Sequence, residues 1–438
     1  MASRATNPTS DTRVIPESRP LAQADLEARF PEVRRQSERL CEGLSAEDCA
    51  LQSMADASPL KWHLAHTTWF FETFILDRHA AGYRAFRPQF RYLYNSYYNA
   101  VGEQYPRAQR GLISRPGLDE VRAYRSHVND ALQRMLAGEV LPAGALALIE
   151  LGLNHEQQHQ ELMLTDFKHL LSLNPLAPAY RAPVAPPAST APPLAWTAFE
   201  GGLVEIGHDG TGFAFDNETP RHKQYLAPFE LASRPVSNGE YLAFVEDGGY
   251  RRPEFWLSDG WAIAGAQRWE APIYWRRADG AWREFTLHGL EALDPARPVA
   301  HLSQFEADAY AHWASRLHGA TRLPTECEWE AAAAGVPLAG RFAESGRLHP
   351  QPSPAGKLAA LFGDVWEWTS SAYSPYPGFR AAAGAVGEYN GKFMSNQYVL
   401  RGGSCATPCS HMRASYRNFF PSHARWQFSG LRLARDPG

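Results

Sequence analysis

With 438 residues and a formal charge of −4, the chain is too long for one ordinary hydrophobic core, so two or three domains are expected. The near-neutral balance leaves no electrostatic footprint for nucleic acid or an anionic membrane surface, and no window of eighteen uninterrupted apolar residues offers a transmembrane helix. Five cysteines, Cys41, Cys49, Cys327, Cys405 and Cys409, form an odd, sparse set that fits a reducing cytoplasm better than a disulfide framework.

Residues 1–20 lack an apolar run and read as a disordered tail, not a signal peptide. Residues 21–173 read as helices. The first, Leu21 to Leu44, is charged and amphipathic. The second opens at Ser58-Pro59, read as an N-cap followed by proline at the first helical position, and continues as "LKWHLAHTTWFFETFIL". Leu118 to Met135 and Pro142 to Leu171 complete four, the pattern of an antiparallel bundle. The connection from Gly82 to Gly117 is rich in aromatics and arginine; a loop that long in a compact domain is more often functional than decorative. Residues 174–195, dominated by proline and alanine, predict an extended, semi-rigid linker.

Residues 196–438 change character. Glycine, tryptophan and short runs such as "GGLVEIG", "KQYLAPFEL" and "QYVLRGGS" prevail. Helical stretches interrupt them at "SNGEYLAFVEDGG", at Gln304 to Leu317 and at "PTECEWEAAAA". This is an α+β pattern with irregular loops and no fixed-period repeat.

The chemistry concentrates in "LNHEQQHQELM", Leu153 to Met163. His155 and His159 stand at i, i+4 and share a face with Leu148, Leu151, Leu162, Met163 and Leu170, so both imidazoles are expected to point into the bundle. Two buried histidines are costly unless something satisfies them, and a metal in a bundle core does so. His63 and His66 on the second helix are offset around it, so one of them is expected to complete the site; spacing does not choose. The literal H-E-x-x-H string also suggests a zinc hydrolase with Glu156 as base. That reading needs a third ligand downstream, and His169 lies too far along the same helix. Three neutral histidines favour an anionic ligand from outside, such as a thiolate. They also depart from the two-histidine, one-carboxylate set of many iron oxygenases.

These residues carry a resemblance. "SPLKWHLAHTTWFFE", "YLYNSYYNAVGEQYPRAQRGLISRP" and "NHEQQHQELM" resemble the DinB-like domain of the ergothioneine-biosynthesis sulfoxide synthases (EgtB type). "FEGGLVEIG", "RLPTECEWEAAA", "GDVWEWTSS", "LRGGSC" and "SGLRLAR" are similar to the formylglycine-generating-enzyme/sulfatase-modifying-factor domain, with its C-type-lectin-like fold, that completes those proteins. The resemblance implies a DinB-like four-helix bundle followed by that α+β domain. It also implies iron(II) held by His66, His155 and His159, with His63 left in a supporting or core role. The implied reaction joins sulfur to C2 of the imidazole of hercynine, using O2 and leaving a sulfoxide.

The resemblance further assigns Tyr97 and Tyr98 as proton or hydrogen-atom donors, a task that suits a phenol; Tyr373 and Tyr376 are weaker candidates. Asn418 matches a position near the trimethylammonium group. Gln158 could hydrogen-bond the substrate imidazole, and Phe419 and Phe420 could present faces to the cation. Arg107 and Arg110 could clamp substrate carboxylates. The implied partners are small molecules: hercynine, a thiol or selenol donor, and O2. A selenoneine synthase (SenA type), joining selenium from a selenosugar, would use the same site, and soft-donor chemistry does not separate the two. Two further readings are a copper-dependent formylglycine-generating oxidase built on Cys405 and Cys409, and a non-catalytic binding module. The first leaves the histidines unused; the second predicts no O2 consumption.

Overall fold

The computed structural model describes residues 21–182 and 190–437; the expected tail at 1–20 and the middle of the proline-rich segment lie outside them. Four long helices build the first half: α1 (Gln23–Arg39), α2 (Leu60–Phe71), α3 (Leu118–Leu136) and α4 (Ala143–Ser172). α3 buries Val121, Tyr124, Val128, Leu132 and Leu136, a single stripe at helical spacing, and so needs only one neighbour face. α2 is buried at every residue. It runs between α3 and α4 and continues through a π-helical turn, Glu72–Leu76. Glu72 is tolerated there because the hydroxyls of Tyr83 and Tyr124 both donate to its carboxylate, at 2.7 and 2.6 Å.

The start of α2 differs from expectation. Its N-cap is Pro59, and Ser58 makes no cap. Instead the Ser58 N–H donates to Asp166 of α4 at 2.8 Å, and its hydroxyl accepts from Arg110 at 2.9 Å. The long connection before α3 is also not structureless. It contains the turn of helix Phe90–Leu93 and the 3-10 turn Arg107–Leu112, and its Phe86, Phe90 and Tyr94 gather around Tyr124 of α3.

α4 is not the one-sided helix its sequence suggests. Leu148, Leu151, Leu162 and Leu170 are only partly buried, while Ile149, Leu153, Met163 and Leu164 are fully buried. The cause is a second partner. α1 and α2 cover one side, and the second domain covers the other. Glu161 accepts from the Trp366 indole at 2.8 Å, the Ser404 hydroxyl at 2.5 Å and the Thr407 hydroxyl at 2.9 Å. At the helix end, Tyr180 docks back, donating to Leu40 O at 2.7 Å and, through its N–H, to Leu287 O at 2.9 Å.

In the second half, one four-stranded sheet runs in the order Trp196–Phe199, Phe229–Ala232, Ala434–Arg435, Thr321–Arg322. The other runs Asn418–Pro421, Gln397–Arg401, Trp366–Ala372, Ser429–Gly430, with Leu400 opposite Asn418 and Tyr398 opposite Phe420. The helices Asn238–Glu246, Gln304–His318 and Glu326–Ala333 each start with a reciprocal capping box, Ser237/Glu240, Ser303/Glu306 and Thr325/Glu328. Those reciprocal bonds satisfy the first free N–H groups of each helix and fix where it begins. The helix Ser258–Gln267 was not expected. It has no side-chain cap and contains Gly260 and Gly265, both weakening the local signal. Gly260 has a packing reason: a Cβ there would sit 2.8 Å from the Phe305 side chain. Among the described residues, no helix is long and apolar enough to cross a membrane.

Candidate metal centre and active site

His66, His155 and His159 converge. Each offers a ring nitrogen, and the three nitrogens lie within 4.8 Å of one another. α2 supplies the first and α4 the other two. His66 is locked between two indoles, stacked on Trp62 at 4.6 Å and on Trp69 at 5.6 Å between ring centres. Its Nδ1 lies 2.7 Å from Tyr94 O. A carbonyl can only accept, so Nδ1 carries the hydrogen and Nε2 presents its lone pair. That Nε2 is 3.2 Å from His155 Nε2, while His155 Nδ1 is buried with no partner among the described residues. Burial lowers all three rings below the usual histidine range, His155 to about 3. The rings therefore stay neutral at physiological pH, and three ring nitrogens converge on one point. A divalent cation satisfies such a set.

His63 does not join the three. It lies behind His159, with Nδ1–Nδ1 at 2.8 Å and its own Nε2 3.1 Å from Asp166. Glu156 faces away from the site. Its carboxylate pairs with Arg34 and Arg125, both at 2.7 Å, and accepts from Ser37 at 2.6 Å. Burial alone would raise this carboxyl, but Arg125 and Arg34 hold it down to about 2. An ion-paired carboxylate pointing at two guanidinium groups is no general base, so the zinc-hydrolase reading of H-E-x-x-H fails on geometry.

His155 and His159 open onto a cavity of about 450 Å³ between the domains, with His66 behind them and His63 and Asp166 also at its edge. Of the other residues singled out in the sequence, Gln158, Tyr97, Arg107, Arg110, Asn418, Phe419 and Phe420 line it. Tyr98 stands behind Tyr97, with the two hydroxyls 3.5 Å apart. Burial raises both phenols above their usual range, so both remain protonated and can donate. Arg110 is buried. Its guanidinium lies 3.4 Å over the Trp62 ring, and burial lowers it to about 9. Arg107 is exposed and donates to Asp56 O. Phe419 stacks on Tyr373 at 4.0 Å, which sets Tyr373 under the cavity wall; Tyr376 points to Glu326. Cys405 is buried, Cys409 is exposed, and both are free thiols.

The sequence reading missed Tyr389 and Tyr416. Both line the cavity. The Tyr389 hydroxyl donates to the Gln158 carbonyl, and the Gln158 amide donates to Tyr416 at 2.7 Å. Tyr416 lies 3.0 Å from His411, which lies 3.1 Å from Asn154. The Tyr389 ring stands edge-on to His155 at 5.6 Å. It lies in "GEYNGKF", a stretch without periodicity or a repeated motif to mark it.

Residues 29–163 match the DinB superfamily model, and residues 183–360 and 351–437 match the sulfatase-modifying factor enzyme 1-like domain. A formylglycine-generating enzyme of Streptomyces coelicolor is 31% identical over 60% of this chain and 95% of its own. Relatives named hercynine oxygenase match both halves. That of Mycobacterium tuberculosis is 33% identical over 86% of this chain and 91% of its own. That of Mycolicibacterium thermoresistibile is 33% identical over 94% of this chain and 95% of its own. With both domains matched along nearly the whole chain at 33% identity, the chain belongs to the hercynine oxygenase family.

Proposed function

We propose that the chain is an iron(II)- and O2-dependent synthase that joins a soft chalcogen donor to C2 of the imidazole of hercynine. One observation carries the reading: three neutral imidazoles from two helices meet, and two of them, His155 and His159, face a cavity shared with the second domain. The donor set suits a redox-active divalent ion. When bound at His66, His155 and His159, iron(II) would supply one-electron chemistry with O2 and open positions for a soft anion.

The chain's own groups divide the remaining tasks. Gln158 has its amide polarity set by Tyr389 and Tyr416, which orients it toward an imidazole beside His159. Asn418, Phe419 and Phe420 sit together on one strand at the cavity wall. A trimethylammonium group cannot donate hydrogen bonds, so a carbonyl oxygen and aromatic faces are suited to hold it. Arg110 and Arg107 offer guanidinium groups for substrate carboxylates. Tyr97, with Tyr98 behind it, holds a proton at the cavity surface. Tyr389 holds another close to His155. Either can deliver it to a developing charge.

The test is to load the protein with iron(II) and supply hercynine and O2 with, in parallel, cysteine, γ-glutamylcysteine and a selenosugar. The expected result is O2 uptake and a hercynine adduct by mass with one donor. A sulfur adduct places the chain on the ergothioneine route, and a selenium adduct on the selenoneine route. No O2 uptake with any donor overturns the proposal.

A further inference from the structure

We infer that Asp166 and His63 form a relay that fixes the hydrogen of His159 on Nδ1 and so turns its Nε2 lone pair to the metal. The inference rests on the reading of His66, His155 and His159 as a metal site.

The geometry begins with α4. His159 and Asp166 are seven residues apart, two helical turns, and so share a face. His63 of α2 inserts between them. All the polar distances are short: Asp166 Oδ2 to His63 Nε2 is 3.1 Å, and His63 Nδ1 to His159 Nδ1 is 2.8 Å. Asp166 Oδ2 already accepts the Ser58 N–H at 2.8 Å, and Oδ1 has no partner among the described residues. The carboxylate therefore presents lone pairs to His63, and a bare Nε2 facing it would be repelled. Nε2 must carry the hydrogen. That leaves His63 Nδ1 as an acceptor. The hydrogen bond between the two Nδ1 atoms then needs its hydrogen from His159, which leaves His159 Nε2 bare. The opposite arrangement, with His63 donating, would put a hydrogen on His159 Nε2 and cap the ligand nitrogen.

The neighbours make the role specific. His66 has its tautomer set by the Tyr94 carbonyl, and His155 Nδ1 has no partner among the described residues. His159 alone of the three is supported through a second imidazole and a carboxylate. His63 and Asp166 are 2% and 5% exposed, a burial that is costly for groups without a task. Outer partners of this kind orient a ligand and raise its basicity, and losing one typically lowers metal affinity about 10- to 100-fold. His63 and Asp166 border the cavity, but their polar contacts run to His159 and Ser58, so they act through His159 as positioning residues.

The test uses the full-length protein freed of metal. Iron(II), and cobalt(II) as a coloured stand-in, are titrated anaerobically into wild type, His63→Phe and His63→Asn. In parallel, nitrogen-15 spectra of the histidine rings report which ring nitrogen bears hydrogen. The expected result is a His159 ring with hydrogen on Nδ1 in wild type and about 10- to 100-fold weaker metal binding in His63→Phe. Recovery is expected in His63→Asn, whose amide oxygen can occupy the Nδ1 position as an acceptor. Equal affinity in His63→Phe, or hydrogen on His159 Nε2 in the metal-free wild type, overturns the relay. If His63→Phe does not fold, His63→Asn and the wild-type spectrum decide it. A wild type that binds no metal defeats the triad reading instead, and the ring spectrum still decides the tautomer.

Discussion

His155 and Glu156 are adjacent on one helix and face opposite chemistries. On the Glu156 side the buried charges are closed on themselves: two guanidinium groups, one carboxylate and the hydroxyls of Ser37, Thr67 and Thr68 exchange hydrogen bonds. On the His155 side three imidazoles face one another with no carboxylate in the cluster. They cannot all satisfy one another: Tyr94 O takes the hydrogen of His66 and the inferred relay takes that of His159, which leaves only His155 with one to share. A buried polar cluster that closes is a structural device. One left open to a cavity is built for something that enters.

That contrast predicts different losses from the two faces. The largest effect belongs to the open face. His159→Ala should abolish metal binding and turnover while the metal-free protein keeps its thermal midpoint within a few degrees; a variant that still binds iron stoichiometrically would move the site elsewhere. Next come the donors at the cavity. The double change Tyr97→Phe and Tyr98→Phe should slow product formation by about 10²- to 10⁴-fold with iron affinity unchanged. If only Tyr389→Phe slows it, the proton comes from beside His155. The closed face gives a folding phenotype. Glu156→Ala strands two buried guanidinium groups and should cost about 3–5 kcal/mol in denaturant unfolding.

The same carboxylate gives a pH signature. Its folded value, about 2, lies below the usual 4.5, so its stabilisation is present above 4.5 and is lost as pH falls from there toward 2. Glu156→Gln should flatten the acid slope in that window. The smallest effect is expected at the seam between the faces. Glu161→Gln weakens the acceptor for Trp366, Ser404 and Thr407 and should cost about 1–3 kcal/mol, read by urea unfolding followed through tryptophan emission.

Much of the site was legible because it sits on helices. The i, i+4 spacing put His155 and His159 on one face, and three of the second domain's helices stood out as helical stretches between its short runs. Composition alone separated the two halves. The helix-two histidine was chosen by resemblance, and the structure supplies the physical reason: His66 is held between Trp62 and Trp69 against Tyr94 O, while His63 is turned to Asp166. What stayed hidden is long-range. Asp166, Tyr389 and Tyr416 acquire their roles from partners 103, 231 and 258 residues away, and no local pattern encodes such pairings. The burial of Arg110 over Trp62 is likewise a contact that no local pattern encodes. α4 looked amphipathic because a sequence window cannot show a second domain on the helix's polar side.

The central claim is best tested by anaerobic iron(II) soaking of crystals and anomalous diffraction at the iron edge. One peak within bonding distance of His66, His155 and His159, with His63 outside it and hydrogen-bonded to His159, is the predicted result. No peak at the triad, or iron bound through His63 in place of His66, would contradict it.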